Sequence, residues 1–200
     1  MGEVRTNIQK LIKEHGSKKK ARTAAEKWYK AALKNFRNKE VSNKANLRFV
    51  PGKIYVFRYD DPVTEGLLWW DRNPVVLALD PVNGNDCGIN LNLLTVEIRE
   101  QMLDDIYSKL AGQIKTETTR NTSDAVHQGA IALKYSSAKR YLDKYGFGFA
   151  VRQYIPSRKK KQAAVSYENW HQIALCDFAE LEGVSKAQLK KFFLDYNKNK

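Results

Sequence analysis

At Phe49 the hydrophobic pattern changes period, which rules out an all-helical or an all-β chain. Before it, Ala21, Ala24, Ala25, Trp28, Ala32 and Phe36 recur at helical spacing, as one buried stripe on an α-helix requires. After it, in IYVFRY, Ile54, Val56 and Arg58 point one way while Tyr55, Phe57 and Tyr59 point the other. Both faces of that segment are largely apolar, so it predicts an internal strand.

The same two periods place the remaining elements. Residues 7–15 (NIQKLIKEH) predict a short helix closed by Gly16, and Ser17 is placed to cap a second helix running to about Asn38. VVLALD (75–80) and CGINLNLL (87–94) read as strands around an Asn-Gly turn, the dipeptide a tight hairpin favours. LLWWDRNP reads as a loop or short edge strand. Thr95 caps a helix carrying Ile98, Met102, Ile106 and Leu110, and residues 115–123 form a polar linker. A further helix runs from Ser123 or Asp124 to about Tyr145, followed by a strand at FAVRQYI (149–155) returning to the same sheet. PSRKKKQ follows, then a helix from about Ser166, and Ser185 with Gln188 forms a capping box for a last helix with a lysine-rich tail. The expected class is α+β: a small SH3-like or bent antiparallel β-barrel flanked by α-helices, with a basic N-terminal helical arm. The expected divisions are an arm over 1–48, an α+β core over 49–175, and a C-terminal helix and basic tail over 176–200.

Charge separates these regions. Residues 1–48 hold 14 Lys and Arg against 4 Asp and Glu, residues 49–150 hold 11 against 13, and residues 151–200 hold 10 against 5, for a net +13. Cations concentrated at two ends predict a polyanionic partner, because each lysine beside a phosphate releases a condensed counterion. No apolar run approaches the roughly 20 residues of a spanning helix, so nucleic acid is expected rather than membrane. Lys20, Lys27 and Lys34 lie on one line of the second helix, with Lys30 and Arg37 on its neighbour and Lys18, Lys19 and Arg22 in its first turns. Arg152 and the run Arg158, Lys159, Lys160 and Lys161 form a second basic group. These thirteen residues are the candidate nucleic-acid contacts. A solvated helix face explains the first group equally well at this stage.

Catalytic and metal chemistry find little support. His15, His127 and His171 stand apart from one another and from carboxylates at ligand spacing. Asp60 and Asp61 fall at a strand end beside Pro62, where aspartate stabilises turns, and Asp104 and Asp105 on a helix point about 100° apart. Asp71 pairs with Arg72 or Arg58 or caps the next strand, and the residues do not decide which. Cys87 and Cys176 have no CxxC spacing and suggest neither zinc nor a disulfide framework. No phosphate-binding glycine loop is present, and no cofactor is expected.

PGKIYVFRYDDP, WWDRNPVVLALD and GINLNLL, then a helix with Arg99, Met102 and Leu103, stand in an order that resembles a known family. It is similar to the DNA end protector proteins of T4-like and marine tailed phages, which carry PGK-x-Y-x-F-x-YDP, (Y/W)YD-x-x-PLV and G-(L/F)-NLHYL. Tyr154-Ile155 and Glu168-Asn169-Trp170 extend the resemblance, which covers about residues 49–175. Asn92 stands where the family has His, and Trp69-Trp70 where it has paired tyrosines. The resemblance implies a non-catalytic virion protein that binds the ends of the packaged double-stranded DNA and shields them from host exonuclease. It also implies virion partners at the portal, neck or tail, and presence in the virion and the host cytoplasm. The basic helices equally suit a structural head-neck or tail connector. A third reading, an SH3-barrel endoribonuclease, lacks the aspartate after Pro51-Gly52, where Lys53 stands.

Overall fold

The computed structural model describes residues 2–38, 48–59, 73–117 and 134–178, without the side chains of 35–38 and 107–117. Helix α1 (Glu3–His15) starts at Gly2, which has no side chain to cap it. Asp104 supplies the cap from elsewhere, its carboxylate accepting from Gly2 N at 3.3 Å and Arg5 N at 3.0 Å. Gly16 ends α1 in the left-handed region, φ 76°. Helix α2 (Lys18–Asn38) then begins under Ser17, whose Oγ accepts from Lys20 N. Thr95 Oγ1 accepts from Ile98 N at the start of α3 (Val96–Glu117). The shorter helices are α4 (Tyr135–Asp143) and α5 (Trp170–Leu175).

The strands are β1 (Ile54–Tyr59), β2 (Val75–Val82), β3 (Asn85–Asn90), β4 (Val151–Tyr154) and β5 (Lys159–Val165). They form one antiparallel sheet of order β4-β3-β2-β1-β5, so β1 is internal as its two apolar faces predict. Asn83 and Gly84, φ 50° and 76°, make the tight turn between β2 and β3. The third expected strand stops at Asn90, because Asn90 Oδ1 accepts from Asn92 N and turns Leu91–Leu93 into a 3-10 helix.

Adjacent strands lie about 4.8 Å apart, so a flat sheet would separate β4 from β5 by about 19 Å. The link joining them, Ile155–Arg158, contains a 3-10 turn and is too short to cross that distance. The sheet therefore curls. Its concave face holds Phe49, Tyr55, Phe57, Val76, Ala78 and Tyr154, and the rings of Phe57 and Tyr154 meet at 5.3 Å although β2 and β3 lie between their strands. Among the described strands β4 and β5 are not paired to each other, so the sheet is bent but open; the α+β class holds, and the described strands do not close into a barrel.

The convex face carries Ile54, Val56, Leu77, Leu79, Cys87, Ile89 and Val151 and is covered by helices. Val4, Ile8 and Leu11 of α1 and Ala21, Ala25 and Tyr29 of α2 belong to that same core cluster. The two N-terminal helices are thus packed into the core cluster, and most of the remainder of the expected arm, residues 39–47, lies outside the described residues. Arg99 ties this side together from within: buried on α3, it donates to Leu91 O and Cys176 O and lies 4.5 Å from the Phe178 ring. Burial brings its pKa down to about 10.

Strand β5 is absent from the expected elements. Its sequence, KKKQAAV, has only Lys159 and Val165 buried, and a bulge opposite Phe57 breaks the two-residue period. The linker expected over 115–123 lies largely outside the described residues. The last helix and the tail lie wholly outside them, and of the helix expected from Ser123 only α4 is described.

Candidate nucleic-acid interface

Helix α2 has two faces. Ala21, Ala25 and Tyr29 are buried against α1 and α5, and Tyr29 meets Phe178 edge-on at 5.1 Å. At 100° per residue, Lys19, Lys20, Lys27, Lys30 and Lys34 project from the opposite side, and all five are exposed. Lys20, Lys27 and Lys34 extend along about 21 Å of helix at 1.5 Å per residue. That row is matched in length to several consecutive phosphates of a duplex, which carries one charge per roughly 1.7 Å.

Lys18 and Arg22 differ from their neighbours. Lys18 Nζ pairs with Glu100 at 3.0 Å, and Arg22 Nη2 with Glu97 at 3.2 Å, so both fasten the start of α2 to α3. Burial would raise the Glu97 carboxyl. Its own backbone N–H, Arg22 and Lys18 outweigh that and hold it below its ordinary value. The side chain of Arg37 lies outside the described residues.

The second basic group divides more sharply. Lys159 is buried, its Nζ against Asp86, 2.8 Å from Gln162 Oε1 and 4.0 Å from the centre of the Phe49 ring. It is held in the core, apart from the exposed lysines that follow it. Asp86, also buried, accepts from Phe49 N and pairs with Arg48 at 3.0 Å. Burial lowers the Lys159 pKa, with Asp86 opposing the shift. The network pins the first residue of β5 beside the chain entering β1.

From that anchor the strand turns outward. Lys160 and Lys161 are exposed, and Lys161 occupies the bulge with φ 51°, a conformation a lysine adopts only where its surroundings impose it. Lys160 sits directly opposite Arg58 in the register, so two cations share the outer surface there. Arg152 on β4 and Arg158 in the short link are half-buried.

One cationic surface was missing from the thirteen candidates. Lys134, Lys139, Arg140 and Lys144 are exposed on and beside α4, with Asp143 the one acid in that helix. The signal was present as AKRYLDK, but the expected helix started earlier and its exposed side was not resolved from its buried one.

Among the described residues no three His, Cys, Asp or Glu side chains converge on a point fit for a metal ion. Asp104 is occupied capping α1, while Asp60, Asp61, Asp71 and His127 lie outside the described residues. Cys87 and Cys176 are buried free thiols, and burial pushes Cys176 up to about 12. No described helix is long and apolar enough to cross a membrane.

The sequence matches a family model described as Phage T4 terminal DNA protecting protein over residues 1–189. No curated protein and no solved structure matches the chain.

Proposed function

Because the chain belongs to the phage T4 terminal DNA protecting protein family, we propose that it binds the ends of a packaged double-stranded phage genome and blocks host exonuclease without making or breaking a bond. The exposed lysine row of α2 carries this reading. It is rigidly backed by the core through Ala21, Ala25 and Tyr29, so its charges are held in line before any ligand arrives. Lys160, Lys161, Arg152 and Arg158 supply a second set of phosphate contacts. Such contacts position a duplex without reading its bases, so binding is tolerant of sequence and steeply dependent on salt.

Protection by occupancy requires slow dissociation rather than an acid–base pair. Partners at the portal, neck or tail of the virion, and action in the host cytoplasm after injection, follow from the same reading. A connector whose basic helices order only on neighbouring virion proteins is less well supported, since α1 and α2 are already packed into the core.

The test is protection of a linear duplex from a processive exonuclease, set against binding to a closed circle of the same sequence at two salt concentrations. Protection with preference for the linear form supports end binding. Equal binding without protection overturns it in favour of a structural component with a nonspecific basic surface.

A further inference from the structure

Between α4 and β4 runs an open groove of about 440 Å³, within the size range of sites that hold small ligands. Tyr135 and Lys139, one helical turn apart, form one wall; Arg152 and Gln153 form the other, with Gly148 and Phe149 between them. Asn85 Nδ2 donates to Gln153 Oε1 at 3.3 Å, which orients that amide. Lys134, Arg140 and Lys144 add exposed charge nearby.

Aromatic and cationic side chains in one concave site are redundant for duplex binding. A duplex offers phosphates on its outside and hides its base faces in the stack. An unpaired nucleotide offers both a phosphate and a free π-face, the two features these walls complement. Gly148 contributes through what it lacks, since a Cβ there would meet the Asp143 carboxylate, so the one acid of α4 is packed at the glycine.

We propose that the α4–β4 groove binds the unpaired tail of a DNA end, with Tyr135 stacking on a base and Lys139 holding the adjoining phosphate. The choice of ligand rests on the DNA-end reading above. The groove is a site distinct from the α2 row: α4 packs on β2, β3 and β4, whereas α2 packs on α1, α5 and β5.

The test uses the full-length protein and a labelled hairpin with one open end, either blunt or extended by a short thymine tail of 3′ or 5′ polarity. The tailed hairpin is expected to bind about tenfold more tightly, as stacking of a single base on an aromatic ring provides. Tyr135→Ala should abolish that preference and leave blunt binding unchanged, while Tyr135→Phe should retain it. Tyr135→Leu, which keeps an apolar side chain against the core but offers no ring to stack on, repeats the test should Tyr135→Ala fail to fold. Equal binding of blunt and tailed hairpins by the wild-type protein, or a parallel loss for both in the variants, overturns the proposal. Protection of blunt linear DNA without a tail preference rejects the groove alone, and a tail preference without protection of blunt DNA rejects end protection alone. Failure to bind either hairpin overturns both.

Discussion

The ammonium of Lys159 at the start of β5 lies against the carboxylate of Asp86 at the start of β3, each side chain about 2% exposed. Their strands are separated in the sheet by β2 and β1, so the ion pair spans the concave side of the curl. Removing Lys159 leaves the buried Asp86 with the exposed Arg48 as its cation partner. Lys159→Met is expected to destabilise the fold by about 2 to 3 kcal/mol. Lys160→Glu with Lys161→Glu should change stability by under about 1 kcal/mol and weaken DNA binding instead. Chemical denaturation and a DNA titration on both proteins check the contrast, and similar losses of stability would refute the division drawn inside this lysine run.

The exposed row of α2 predicts a change in salt dependence. Every lysine–phosphate pairing that is abolished should flatten the slope of log affinity against log salt by about 0.9. Reversing Lys20, Lys27 and Lys34 to glutamate should therefore reduce the slope by up to about 3 with the melting temperature nearly unchanged. Substituting Lys18 and Arg22 by alanine should alter stability by no more than about 1 kcal/mol per pair and leave most of that slope intact. An unchanged slope in the triple variant would remove α2 from the interface.

Trp170 opens α5, is fully buried and packs its ring 5.0 Å from that of Tyr167. Trp170→Ala is expected to cost about 3 to 5 kcal/mol, the range for deleting a large core aromatic. Equilibrium unfolding in urea measures it. A variant of native stability with altered DNA affinity alone would contradict a core role.

His171, beside Trp170, predicts a pH effect. Its partial burial lowers the pKa below the ordinary value near 6.5, outweighing a hydrogen bond to the Glu168 carbonyl that acts the other way. The unfolded chain thus takes up the proton first as pH falls. The contribution of His171 is fully present above about 6.5 and is lost as pH drops through the lower folded value. His171→Asn should lessen the fall in stability between neutral and mildly acidic pH, and denaturation series at several pH values test it. An identical fall in both proteins would assign the acid sensitivity to carboxylates.

Much of the fold is legible wherever side-chain period and turn chemistry agree. Gly16 and Ser17 mark the break between α1 and α2, Asn83-Gly84 fixes the β2–β3 turn, and alternation in β1 shows that both of its faces are covered. What escapes is decided by distant partners. Asp86 makes Lys159 a core residue, a fact invisible in a run of four adjacent cations. The bulge at Lys161 hides the strand that follows it. The buried side of α2 opens with Ala21 and Ala25, which are too small to announce how closely another helix approaches. The candidate interface is legible as charge on α2 but not as a division between exposed lysines and the two residues fastened to α3. The basic side of α4 is missed because helix limits and exposed faces must both be right before its cations line up.

The pairing of β1 with β5 has a consequence for synthesis. Ile54 meets Val165, so β1 lacks one neighbour until most of the chain has left the ribosome. Until then Asp86 has no Lys159 and the Phe49 ring has no ammonium above it. Contacts this distant in sequence form late and slowly. The nascent chain thus carries its basic first helices well before its sheet is complete, and completion of the fold waits on the arrival of one short, lysine-rich strand.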